Sequence, residues 1–219
     1  MQLHLHREIE KLKKQIVLLA GMVEGSLENA VKSIQDRDPQ LARQVRDSDY
    51  RIDQTEIEVE EECLKILALH QPVAIDLRFI VAVLKINSDL ERIGDEAVNI
   101  AGRSLTINAY PKIDLGFDVT GLCRKVLGML RKCLDALVNM DTASAYTVRN
   151  SDDEIDETVR QLFEQVKEEI RRHPEKVDFL IEYIRINRHL ERIADHATNI
   201  AEDIIYMIEG QIVRHSPEK

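Results

Sequence analysis

The stretch Leu84-Lys-Ile-Asn-Ser-Asp-Leu-Glu-Arg-Ile-Gly-Asp-Glu-Ala-Val-Asn-Ile-Ala101 returns 100 residues later as Ile184-Arg-Ile-Asn-Arg-His-Leu-Glu-Arg-Ile-Ala-Asp-His-Ala-Thr-Asn-Ile-Ala201. Each copy carries Asn, Glu, Asp and Asn at every fourth position: Asn87, Glu91, Asp95 and Asn99, then Asn187, Glu191, Asp195 and Asn199. Four residues is about one helical turn, so each set is a ladder of oxygen-bearing side chains along one strip of a helix. Taking Leu90 as zero and stepping about 100° per residue, Ile86, Ile93, Ala97 and Ile100 fall within about 80° of it and form the core stripe. The ladder spreads over about 60° to 180° on the other side, so it is expected to flank the core and face outward.

The repeat extends outward from this stretch. Arg46-Asp-Ser48-Asp49-Tyr-Arg-Ile52-Asp53-Gln-Thr55 aligns with Arg149-Asn-Ser151-Asp152-Asp-Glu-Ile155-Asp156-Glu-Thr158 at an offset of 103. The offset falls from 103 to 100 where a connection beginning at His70 shortens to one beginning at His173. Length changes belong in connections, so a whole unit of about 100 residues is duplicated.

Apolar spacing places three long helices in each unit. The first runs from about Leu5 to Gln35 through Ile9, Leu12, Ile16, Leu19, Val23, Leu27, Ala30 and Ile34. Asp38 caps the second, with Pro39 at its first position, and it is expected to continue to Leu69. The third follows Pro72 to about Ala109 and holds the first ladder. Tyr110 to Gly116 reads as a break. Beyond it come helices from about Phe117 to Met140, from Asp141 to Arg172, and from His173 to Val213. The expected fold is all-α: two tandem three-helix bundles, residues 1–110 and 114–215, built from six long antiparallel helices, with fraying from about Ser216.

Composition excludes several functions. A net charge of −10 argues against nucleic acid as the main partner, because affinity there comes from neutralising phosphates. Cys63, Cys123 and Cys133 are odd in number and lack Cys-x-x-Cys spacing, so they read as core residues in a reducing compartment. The early charges of the N-terminus do not fit a signal peptide, and no apolar run reaches the roughly 18 residues of a spanning helix. A cytoplasmic protein that does not insert into membranes is expected. Eight glycines form no phosphate loop, and no Gly-x-Ser-x-Gly elbow or His-Glu-x-x-His occurs. No His has a Glu three residues before it, which removes a ferritin-type di-iron site. His189 and His196 lie on a face away from the ladder and have no counterparts in the first copy.

The middle helices supply a second set of acids. Asp49 and Asp53 are four apart, and Asp152 and Asp156 repeat them. Packed as antiparallel bundles, each half would turn its acid pair and its ladder toward one groove. Four converging carboxylates repel one another unless a cation joins them. All-oxygen ligation suits hard cations such as Mg²⁺, Ca²⁺, Mn²⁺ or ferric iron. The candidate ligands are Asp49, Asp53, Glu91, Asp95 and Asn99 in the first half, and Asp152, Asp156, Glu191, Asp195 and Asn199 in the second. The competing readings are acids that only solubilise a helical scaffold, paired with Arg92 or Arg192, and a metal-dependent hydrolase or oxidase using the same groups.

Leu90-Glu-Arg-Ile-Gly-Asp95 and Leu190-Glu-Arg-Ile-Ala-Asp195, each continuing to Asn-Ile-Ala, resemble the duplicated E(D)xxxD motif of the PhoU family. The resemblance spans the repeated Asp-xxx-Ile-Asp stretches and the ending from Tyr206 to His215; Ala194 departs from the family's usual Gly. It implies a tandem three-helix-bundle fold with surface metal ions or multinuclear clusters on those acids, iron first, with Mn, Mg, Ca or Zn as alternatives. It further implies a regulator without catalysis, a negative regulator linking the phosphate ABC transporter ATPase to a sensor histidine kinase. A homodimer is expected.

Overall fold

The computed structural model describes residues 2–112 and 116–214. Eight α-helices are present among them: α1 (Gln2–Gln35), α2 (Pro39–Ser48), α3 (Tyr50–His70), α4 (Ala74–Asn108), α5 (Val119–Asn139), α6 (Thr142–Arg149), α7 (Asp152–Arg172) and α8 (Val177–Glu209). A 3-10 turn, Pro174–Lys176, leads into α8. The plan is all-α, with α1, α2–α3 and α4 forming one bundle and α5, α6–α7 and α8 the other. Residues 114 and 215, taken as limits of the second unit, and Ser216 lie outside the described residues.

The middle rod of each bundle was expected to be one helix, from Pro39 to Leu69 and from Asp141 to Arg172. Both are instead broken at equivalent places, at Asp49 and at Asn150–Ser151. The serine beside each break bonds back to its own helix: Ser48 Oγ donates to the Val45 carbonyl at 3.1 Å and Ser151 Oγ to Val148 at 2.7 Å. Such back-bonding competes with the backbone ladder and bends a helix. The caps follow the sequence. Asp38 accepts from the Gln40 and Leu41 amides with Pro39 at the first position, and Asp141 accepts from Ala143 N and Ser144 Oγ. Helix α8 stops at Glu209 rather than Val213, because Gly210 turns left-handed at φ 75° and ends the ladder.

Buried side chains form one continuous core through both bundles. The expected stripe of Ile86, Leu90, Ile93, Ala97 and Ile100 is completely enclosed, as are its counterparts Ile186, Leu190, Ile193 and Ile200, with Ala197 nearly so. Helices α4 and α8, which carry the two ladders, make the most extensive helix–helix contact among the described residues. They run antiparallel, so residues of one copy meet residues of the other in reverse order. Ion pairs join Lys85 to Asp203 and Arg103 to Glu182, and hydrogen bonds join Asp89 to His196 and Glu96 to His189. The ladders flank this seam, one on each bundle.

Candidate functional site

Each acidic groove is built where a broken middle rod packs on a ladder helix. In the first half, Gly94 lets α3 approach closely: a Cβ added there would sit 3.2 Å from Ile52 Cδ1 and Cγ2. Asp49, at the break before α3, and Asp53, on α3, lie on either side of Ile52 in sequence and are thereby brought near Glu91 and Asp95 of α4. Their electrostatics record the crowding. Burial, then Asp53 and Asp95, pushes the Asp49 carboxyl up to about 6. Burial and Asp95 raise Glu91 against the opposing pull of Arg92. Asp95 is raised by burial and by Asp53, again against Arg92. Arg92 bonds Glu91 at 3.5 Å and offsets only part of the repulsion.

The second groove follows the same plan. Asp195 is raised by burial, then by Asp152, Glu191 and Asp156. Asp152 is raised by burial and by its neighbours Asp156 and Asp153, although Thr198 Oγ1 donates to it at 3.0 Å. The structure therefore gathers the eight carboxylates of the candidate set into two groups of four. Among the described residues no three His, Cys, Asp or Glu side chains already converge on one ion position. The donors share a groove rather than a finished coordination shell. A hard cation suits this donor set, since Asp49 Oδ1 is enclosed without a hydrogen-bond partner and like charges surround it.

The asparagines behave differently from the acids. Asn87 and Asn187, read as part of an outward ladder, are buried at 1% and 2% exposure. Asn87 Nδ2 donates to the Glu56 carbonyl at 3.0 Å, and Asn187 Nδ2 to the equivalent Val159 carbonyl at 2.9 Å. They pin the middle helix to the ladder helix and so set the groove's width. Asn99 and Asn199 turn to the seam, their amide nitrogens 3.4 Å from Glu96 and Asp89 respectively.

Two features escaped the sequence reading. Glu56 joins the first groove, accepting from Asn87 Nδ2 at 2.9 Å and pushed up by burial, Glu60 and Asp53. Its counterpart at the offset of 103 is Val159, which instead lines a cleft of about 630 Å³ with Phe163, Ile184 and Asn187. Comparing the two copies position by position would have exposed that difference. The other feature is the seam, where His189 and His196 stand at the positions Asp89 and Glu96 hold in the first copy. Two-fold packing then crosses them: His189 Nδ1 lies 2.5 Å from Glu96, and His196 Nδ1 lies 2.8 Å from Asp89. Burial works against the Glu96 charge, but Arg192 and His189 outweigh it and hold the carboxyl below its ordinary range. These histidines serve the junction between repeats.

The cysteines are buried, and burial pushes the thiols of Cys63 and Cys123 up to about 12, with Cys133 also raised. They are inert at neutral pH. No described helix is long and apolar enough to cross a membrane.

Fold and site together define a duplicated three-helix protein with an acidic groove on each repeat, joined back to back through the ladder helices. The model of the PhoU domain matches residues 16–104 and again 119–204. The chain belongs to the PhoU family. It is 36% identical over 209 residues to a phosphate-specific transport system accessory protein PhoU homolog of Pseudomonas putida, covering 95% of this chain and 82% of that one. A homolog of the same description from Aquifex aeolicus is 35% identical, with 96% of each chain covered. Among solved structures, PhoU from Pseudomonas aeruginosa superposes with a TM-score of 0.91 at 35% identity, covering 94% of this chain and 99% of that one. The phosphate transport system regulatory protein PhoU from Streptococcus pneumoniae gives 0.85 at 27% identity, covering 97% and 98%.

Proposed function

We propose that this protein regulates phosphate uptake without catalysing a reaction, and that its two acidic grooves hold cations that shape a docking face. The relatives' description as accessory proteins of a phosphate-specific transport system supports the pathway. The observation that carries the site is the pressing together of like charges in both halves, with an enclosed Asp49 oxygen that has no donor. Asp49, Asp53, Glu91 and Asp95 would hold the first cation or cluster, and Asp152, Asp156, Glu191 and Asp195 the second. Asn99 and Asn199, their nitrogens engaged at the seam, would contribute through oxygen alone. The bound cation neutralises the grooves. Iron leads among the candidate metals, ahead of manganese, magnesium, calcium and zinc.

In this reading the loaded faces contact the ATPase of a phosphate ABC transporter and a sensor histidine kinase, in the cytoplasm, as a homodimer and a negative regulator. Protein purified without chelator and titrated with Mn²⁺ or Fe²⁺ should bind metal. Substituting Glu91, Asp95, Glu191 and Asp195 by Ala should abolish binding while leaving the helical circular dichroism intact. Wild-type protein that takes up no metal rejects the site, and unchanged uptake by the variant rejects the ligand assignment. Retention of the transporter ATPase on the loaded protein tests the partner; phosphatase or oxidase turnover with added metal would oppose the regulatory reading.

A further inference from the structure

Helix α3 is apolar on two sides. Its inner side, through Ile52, Val59, Cys63 and Ile66, is buried in the core. On the opposite side Tyr50, Ile57 and Leu64 follow one another at intervals of seven residues, which sets them within about 40° of one another around the helix. All three stand in water, at 63%, 46% and 54% exposure. Two heptads of apolar seam, about 21 Å long, thus face outward.

The charges beside this seam have one sign. From Asp53 to Leu64 the helix contains five glutamates and no Lys or Arg. Glu56 turns to the first groove, and Glu62 to Lys11 and Lys65. Glu60 and Glu61 lie on either side of the seam, about 60° and 40° from Ile57. Both are exposed, and among the described residues neither has an ion pair or a hydrogen bond. The cation at the N-terminal end, Arg51, is already engaged with the Tyr50 ring and hydroxyl.

The second copy treats the same strip differently. At the offset of 103, Tyr50, Ile57 and Leu64 correspond to Asp153, Arg160 and Lys167. Those cations are satisfied within α7: Arg160 pairs with Glu157 at 2.9 Å and Lys167 with Glu164 at 3.1 Å, while Lys167 also lies over the Phe163 ring. That is the pattern of a helix face that meets only water. The first copy has large apolar side chains where the second has charges, and leaves the neighbouring acids unpaired.

Charge decides what fits. A second copy of α3 laid on the strip would bring acid against acid in either direction, and the same acids repel an anionic membrane. A helix with an apolar stripe at heptad spacing and Lys or Arg along its flanks complements both features. We propose that the outer strip of α3 through Tyr50, Ile57 and Leu64 docks a basic amphipathic helix of a partner protein, whose cations pair with Glu60 and Glu61. This goes beyond the function proposed above: the face belongs to the first repeat and requires no cation in either groove.

The probe is a fluorescein-labelled helical peptide of leucine and lysine, with leucine at heptad spacing, titrated by anisotropy onto the full-length protein in chelator. It should bind, and the same peptide with glutamate in place of lysine should not. Ile57→Ser/Leu64→Ser, which leaves the net charge unchanged, should weaken binding by about tenfold. Glu60→Gln/Glu61→Gln should weaken it by about fivefold, whereas the equal charge change Glu157→Gln/Glu164→Gln on α7 should alter it by less than about twofold. Amide exchange should slow in α3 around Ile57 when the peptide binds. No binding by wild type, unchanged affinity in the serine variant, or equal losses from the α3 and α7 glutamine variants would overturn the proposal. If the serine variant instead abolishes self-association in sedimentation velocity, or flotation of the protein with phosphatidylglycerol vesicles, the strip belongs to a second copy or to a membrane and the proposal falls.

Discussion

Replacing Asp49 by Asn should stabilise the metal-free protein at neutral pH, although it removes a charge from a charged surface. In the folded chain this carboxyl is pushed from 3.8 to about 6 by burial, Asp53 and Asp95. A shift of that size corresponds nominally to about 3 kcal/mol of destabilisation of the ionised form. Asp49 is only partly buried, so solvent screening reduces the expected figure to about 1 kcal/mol. The folded value lies above the unfolded one. The penalty is therefore fully present above pH 6, shrinks as pH falls through 6 and disappears below about 3.8.

Thermal unfolding in chelator should accordingly show Asp49→Asn melting about 2–4 °C higher than wild type at pH 7.5. The two proteins should melt together near pH 4, where wild type has taken up its proton. Saturating Mn²⁺ should reverse the order at pH 7.5, because the cation rewards the carboxylate that repulsion penalises. An Asp49→Asn variant that melts lower than wild type at both pH values without metal would refute the claim that the groove stores repulsion. It would mean instead that Asp49 is a stabilising helix-junction residue.

Further outcomes follow from the packing. Glu96→Ala should cost about 2–4 kcal/mol in urea denaturation, since it removes the buried acid shared by His189 and Arg192. Gly94→Ala should stay within about 1 kcal/mol of wild type, as better helix propensity offsets the 3.2 Å approach to Ile52, whereas Gly94→Val should lose more than about 2 kcal/mol. Arg78 Nε donates to the Met207 carbonyl at 3.0 Å and covers the end of α8. Arg78→Ala should cost about 1 kcal/mol, and faster amide exchange confined to the last turn of α8 would confirm the local effect.

Duplication, the all-α class and the core stripe were legible without coordinates because they rest on local periodicity. A run of Ile86, Leu90, Ile93, Ala97 and Ile100 at helical spacing has one low-energy way to bury itself, and the copy at Ile186 to Ile200 repeats it. Capping was equally local: Asp38 and Asp141 lie within three residues of the amides they satisfy. The eight candidate carboxylates could be named from the sequence because each lies on a defined strip of a helix, and duplication showed every strip twice.

Tertiary packing decided the rest. An angle on a helical wheel gives direction but not depth, so Asn87 and Asn187 read as outward members of a ladder until the middle helix is laid across them and their amides pin it. The breaks beside Ser48 and Ser151 interrupt rods whose apolar spacing continues through them, so periodicity does not show them. His189 and His196 gained partners because α4 and α8 meet antiparallel, bringing residues about 100 apart in sequence into one seam. Sequence alone determined which residues recur and how they face along each helix, because those are properties of a single rod. The structure decided which rods touch and in what register, and it is the meeting of rods that presses eight carboxylates into two grooves.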